Sequence, residues 1–145
     1  MKNIRNVFFI IVLSLSSFVC AAPLISAQEA ALPAASGTLA TRGISRGPGV
    51  KLASPEADTP TPAPFDLKVN FEARGDAKID PNSVKVTYMK SPPVDLTPRL
   101  KKSISASGID LNKAEVPPGT HTIRVSVKDS EGRETNSVMN LVVAK

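Results

Sequence analysis

The 145-residue chain carries 18 Lys and Arg against 13 Asp and Glu, a net charge of +5, with one cysteine, one histidine and no tryptophan. The basic excess is mild and dispersed, Lys101-Lys102 being the only adjacent pair, so there is no phosphate-tracking stripe and nucleic acid is excluded as the expected partner. A single cysteine also excludes an intramolecular disulfide, so the core must hold by packing alone.

In chain order, Lys2 and Arg5 precede an almost wholly apolar run from Val7 to Val19. This is the charged n-region and apolar h-region of a secretory signal, and the run falls short of the roughly 20 residues a spanning helix needs. Residues 1–27 are therefore expected to be a cleaved signal peptide, with the cut after Ala27 and a competing site after Ala21. Cys20 lies inside the segment, but Val19 stands where lipidation requires a small residue, so a lipoprotein is not expected. Removing Lys2 and Arg5 leaves 16 basic residues against 13 acidic, a net +3.

Residues 28–47 are small and polar with no apolar period, which predicts a flexible Ala/Ser/Gly-rich linker. A short helix over residues 28–35 is disfavoured by Pro33. Residues 48–145 then read as short strands separated by turn chemistry. Val50 and Leu52 alternate with Lys51 and Ala53, and the TPTPAP stretch stays extended. Phe65, Leu67, Val69 and Phe71 alternate with Asp66, Lys68, Asn70 and Glu72, the cleanest strand pattern in the chain. After the turn at Arg74-Gly75-Asp76, Val84, Val86 and Tyr88 share one parity. Between Val94 and Ala114 the pattern is less regular, with Leu96, Leu100, Ile104, Ile109 and Leu111 expected to face inward and Pro98 marking an edge or crossing. Ile123, Val125 and Val127 alternate with Arg124, Ser126 and Lys128, and Asp129 to Gly132 make the next turn. In the last strand Met139, Leu141 and Val143 are placed inward, because Asn140 on the other parity is costly to bury.

The segments IDPNSVKVTY (79–88), DLT (95–97) and PPGTHTIRVSVKDSEGR (117–133) resemble the bacterial immunoglobulin-like domains of envelope and secreted proteins. The resemblance covers residues 48–145 and implies an all-β, immunoglobulin-like β-sandwich of about seven antiparallel strands. It departs from the antibody type in having neither a tryptophan nor a cysteine pair. Such domains usually stand in tandem, presenting or spacing others; here one copy follows the linker.

Candidate chemistry is sparse. His121 is the only histidine and lies on the dry parity of its strand, which suits a structural ring better than a general base or metal ligand without partners. Asp129, Glu131 and Glu134 could offer oxygens to calcium, but their spacing is not that of a calcium loop and Lys128 and Arg133 intrude. Arg74, Gly75 and Asp76 form a tripeptide that some adhesion receptors read, although turn chemistry alone accounts for it. Tyr88 is the one aromatic candidate for a sugar platform, and Lys101 and Lys102 are candidate interaction or edge-protecting charges. Open strand edges are the more general prospect for binding another protein.

The expectation is an exported, non-enzymatic module, periplasmic or secreted, without cofactor or transmembrane segment once processed, engaging an envelope or extracellular protein or serving an accessory role. The alternatives are a calcium-stabilised surface adhesin and a small hydrolase using His121.

Overall fold

Alternation sets the two faces of the strands. Phe65, Leu67, Val69 and Phe71 are buried while the four residues between and after them are exposed, and the same period-2 pattern buries Val84, Val86 and Tyr88 and then His121, Ile123, Val125 and Val127. The computed structural model describes residues 23–37 and 45–145. In chain order the strands are β1 Gly49–Ser54, β2 Phe65–Glu72, β3 Ile79–Tyr88, β4 Val94–Asp95, β5 Ile104–Ser105, β6 Gly108–Ala114, β7 Gly119–Asp129 and β8 Glu134–Val143. They form two antiparallel four-stranded sheets, ordered β1-β2-β6-β5 and β4-β3-β7-β8. The inward residues of both sheets make one apolar core, so the chain is an all-β sandwich.

Among the described residues eight strands stand where about seven were expected. Two of them, β4 and β5, are only two residues long, too short to leave an alternation in the sequence. Between them a single helical turn, α2 Thr97–Leu100, and a 3₁₀ turn, Lys101–Ser103, bury Leu96 and Leu100. Pro98 lies in the first turn of α2, where its missing N–H has no helical partner to lose. The expected register of the last strand holds: Met139, Leu141 and Val143 are buried. Gly108 starts β6 at φ +149°, and a Cβ there would lie 1.9 Å from the Val69 carbonyl oxygen, so glycine permits β6 to lie against β2. No helix among the described residues is long and apolar enough to cross a membrane. The apolar run of residues 7–19 and Cys20 lie outside the described residues, as do residues 38–44 of the expected linker.

The expected linker is corrected over residues 28–37. A short helix, α1 Ala27–Ala30, is closed by a reciprocal capping box: the Ser26 hydroxyl accepts from the Glu29 N–H and the Glu29 carboxylate accepts from the Ser26 N–H. It ends before Pro33, so the proline limits the helix rather than forbidding it. Just ahead of it, Leu24 and Ile25 are inserted in the core, and both of their N–H groups point at the Glu115 carbonyl. Arg99 donates to the Leu24 carbonyl and forks onto both Glu29 oxygens at 2.8 and 2.6 Å. Lys90 Nζ donates to the Ala30 and Leu32 carbonyls, and beyond the helix Ala35 and Pro33 exchange backbone hydrogen bonds with Met89 and Ser91. The segment has no apolar period of its own; long-range cations and two apolar anchors just upstream of it supply the order.

The Arg99 fork pulls the Glu29 carboxyl down from 4.5 to about 2, against a smaller opposing effect of burial. The folded carboxyl therefore resists protonation that the unfolded one accepts. Its contribution is complete above pH 4.5 and is lost as pH falls toward about 2. Because the pair is partly solvated, Glu29→Gln is expected to cost no more than about 1 kcal/mol at neutral pH and to flatten the stability profile in that acid window. Urea titrations of both proteins at pH 5, 4 and 3 measure this; parallel pH profiles would show that the pair is energetically silent.

Candidate functional site

The strand pairing of β3 with β7 sets Tyr88 opposite Ile123, and two residues away on the same inward face stands His121. The Tyr88 hydroxyl lies 2.8 Å from His121 Nδ1, and His121 Nε2 lies 2.7 Å from the Pro117 carbonyl oxygen. A carbonyl only accepts, so Nε2 carries the proton and Nδ1 of the neutral ring accepts from Tyr88. Burial lowers the His121 pKa from its ordinary 6.5; the Pro117 carbonyl opposes this and the Lys90 charge adds to it. Burial likewise raises the Tyr88 hydroxyl, aided by the negative charge of Glu29. Lys90 Nζ sits 5.3 Å from the centre of the tyrosine ring.

His121 is 3% exposed and Tyr88 0%. The histidine is thus a buried hydrogen-bond hub, with both nitrogens engaged rather than the one that a partly packed strand-end ring would use. Tyr88 is corrected as a sugar or partner contact, since its ring and hydroxyl are spent inside the core. Parity alone put both residues on one face; their partnership needed the β3–β7 register, which the sequence does not contain.

Asp129 is also buried, at 4% exposure, and is not a solvated turn acid. Its Oδ1 accepts from the Glu131 and Arg133 N–H groups, and its Oδ2 accepts from Arg133 Nε at 2.8 Å. Burial alone would raise this carboxyl, but the Arg133 backbone, the Arg133 guanidinium and the Glu131 N–H outweigh it and hold it below the usual range. Glu131 reaches Arg133, and Glu134 pairs with Lys128. Asp129 and Glu131 thus share Arg133, while Glu134 takes Lys128. Among the described residues no three His, Cys, Asp or Glu side chains converge as a metal site.

Arg74, Gly75 and Asp76 lie exposed in the β2–β3 connection, with Gly75 at φ +63°. This connection is tied to the β7–β8 turn: Ser130 N–H donates to the Lys78 carbonyl, Lys78 N–H donates to Ser130 Oγ, and Arg133 Nη2 donates to the Arg74 carbonyl. The tripeptide and the Asp129 turn therefore form one end of the sandwich. Lys101 and Lys102 lie elsewhere, exposed on the 3₁₀ turn immediately before the edge strand β5. Lys101 borders a groove of about 510 Å³ that also touches Pro81, Val84, Asp95, Pro98 and Ile104. Asp95 there is engaged by Thr97, whose side-chain and backbone hydrogen bonds lower its pKa.

The longest edge strand is β8. Its odd-numbered residues face the β7 ladder, because the even-numbered ones bond outward at both ends: the Val142 carbonyl accepts from Thr61 N–H at 2.9 Å, and the Glu134 carbonyl accepts from Ser45 Oγ at 3.1 Å. Between these blocked ends, the outward N–H and C=O groups of Asn136, Val138 and Asn140 have no backbone partner among the described residues. Five residues of strand span about 17 Å, enough to receive a short segment of another chain. Charged groups border this edge: Asn140 Nδ2 donates to Asp58 Oδ1, Asn136 Nδ2 donates to Glu134 Oε1, and Arg124 pairs across the ladder with Val138. Asn140 Oδ1 accepts from Thr122 Oγ1, and Asn136 Oδ1 accepts from Ser126 Oγ.

Comparison of the chain with protein-family models, curated proteins and solved structures finds no match in any of the three.

Proposed function

We propose that the chain is an exported immunoglobulin-like module that binds another protein of the envelope or exterior by strand addition and performs no bond chemistry itself. The order β1-β2-β6-β5 against β3-β7-β8, with β4 beside β3, supports the immunoglobulin-like reading, since that fold sets strands A, B, E and D against C, F and G and adds C′ beside C. The observation that carries the functional reading is the middle of β8, open among the described residues, a row of main-chain donors and acceptors between blocked ends. Unpaired backbone on an edge strand recognises another strand without any special side-chain motif. The engagement of both His121 nitrogens inside the core weighs against the hydrolase alternative, and the Arg133 clamp on Asp129 weighs against the calcium alternative.

Val138→Pro tests this directly. Residue 138 directs its N–H away from β7, so proline removes an outward donor and no ladder bond. The substituted protein is expected to keep its circular dichroism and melt within a few degrees of the original, while losing the envelope protein that the unaltered chain retains in a crosslinked capture. Undiminished capture by a folded V138P protein would overturn the assignment of the edge.

A further inference from the structure

The first described residues weigh against a cut after Ala27. Ile25 is 0% exposed and Leu24 is 4% exposed, both in the main core. Their N–H groups converge on the Glu115 carbonyl, the Leu24 carbonyl takes a hydrogen bond from Arg99, and Ser26 is the cap of α1. A cut after Ala27 would remove two core side chains and the cap together. The bond between Ala27 and Gln28 also lies within α1, whereas a processing peptidase binds its substrate extended.

Upstream, Ala21 offers a small residue at the cut and Val19 a compact aliphatic one two places before it, directly at the end of the apolar run. We propose that the exported chain is cleaved between Ala21 and Ala22, so that the mature protein begins Ala-Pro-Leu-Ile-Ser and retains every residue of the N-terminal anchor. The substrate class is a membrane-engaged secretory precursor. A signal-cleaving peptidase adds one water across the Ala21–Ala22 peptide bond, leaving a carboxylate on Ala21 and an α-amino group on Ala22. Cys20 departs with the leader, consistent with Val19 standing where lipidation requires a small residue. The inference rests on the export reading above and fixes where its processing ends.

N-terminal sequencing and intact-mass measurement of the full chain expressed in a bacterium, with the exported fraction separated from the cytoplasm, decide it. An exported protein starting at Ala22 is the expected result. An exported protein starting at Gln28, or at an acylated Cys20, overturns the placement while leaving export standing; an uncut chain confined to the cytoplasm overturns export itself. Two variants make the assignment specific. Ala21→Leu is expected to lose the mature form and accumulate precursor, and Ala27→Leu, on an exposed helix position, is expected to be processed as before. The reverse pattern would sink the proposal.

Discussion

A chain beginning at Gln28 is expected to be less stable than one beginning at Ala22 by about 5 kcal/mol, because truncating a buried Leu or Ile costs roughly 2 to 5 kcal/mol and two such residues are lost together with a helix cap. The lower end of that range applies to each, since a site next to a chain terminus can partly collapse. The loss falls on side chains that are almost wholly buried, and it takes with them the Ser26 cap, itself a contribution of about 1 kcal/mol. Against a typical total of about 5 to 15 kcal/mol, such a deficit brings a domain without disulfides near its threshold. For a domain of this size, each kcal/mol moves the midpoint by about 4 °C, so a drop of roughly 20 °C is expected. Paired calorimetric scans of the two chains measure it. Leu24→Ala/Ile25→Ala in the longer chain should reproduce most of the loss, because helix α1 remains; equal melting of all three would mean that the N-terminal anchor contributes nothing.

That anchor is the part of the fold least legible in the sequence, and the reason is physical. β2, β3, β7 and β8 were legible because each carries its own alternation, and the parity of Met139, Leu141 and Val143 followed from the cost of burying Asn140. Residues 28–37 carry no periodicity. Their order comes from Arg99 and Lys90, about 60 to 70 positions away in sequence, which reach back to Glu29, Ala30 and Leu32. One local signal was present: Ser26 followed three residues later by Glu29 is a capping box. Leu24 and Ile25, which anchor the segment in the core, lie in the stretch that reads as leader. The candidate site divides in the same way. Parity placed His121 inward, but its bond to Tyr88 depends on the register of β3 against β7, and the open edge of β8 depends on which strand ends last in the sheet. Turn chemistry marked Asp129 correctly as a turn residue. It did not reveal that the turn folds over the carboxylate and buries it against Arg133.

The second large effect is expected at the Tyr88–His121 pair. His121→Ala removes a packed ring and leaves the Tyr88 hydroxyl unpartnered inside the core, and together the cavity and the unsatisfied donor are expected to cost about 3 kcal/mol. Tyr88→Phe removes only the hydroxyl and orphans Nδ1, with an expected cost of about 1 to 2 kcal/mol. The two share one hydrogen bond, so the double variant should lose less than the sum of the singles, and a double-mutant cycle in urea measures that coupling. The pair also carries a pH signature. Burial lowers the His121 pKa below 6.5, so under acid conditions the unfolded chain takes up a proton that the folded one resists. Its contribution is complete above pH 6.5 and is lost as pH falls through the lowered folded value, and His121→Ala should abolish that part of the profile. The same variant separates structure from catalysis. Each folded molecule of His121→Ala is expected to bind through the β8 edge as the original does, because the ring lies inside the sandwich and the edge is built from the backbone of residues 136 to 140. A hydrolytic activity present in the original and absent from a folded His121→Ala protein would instead make the ring a catalytic group.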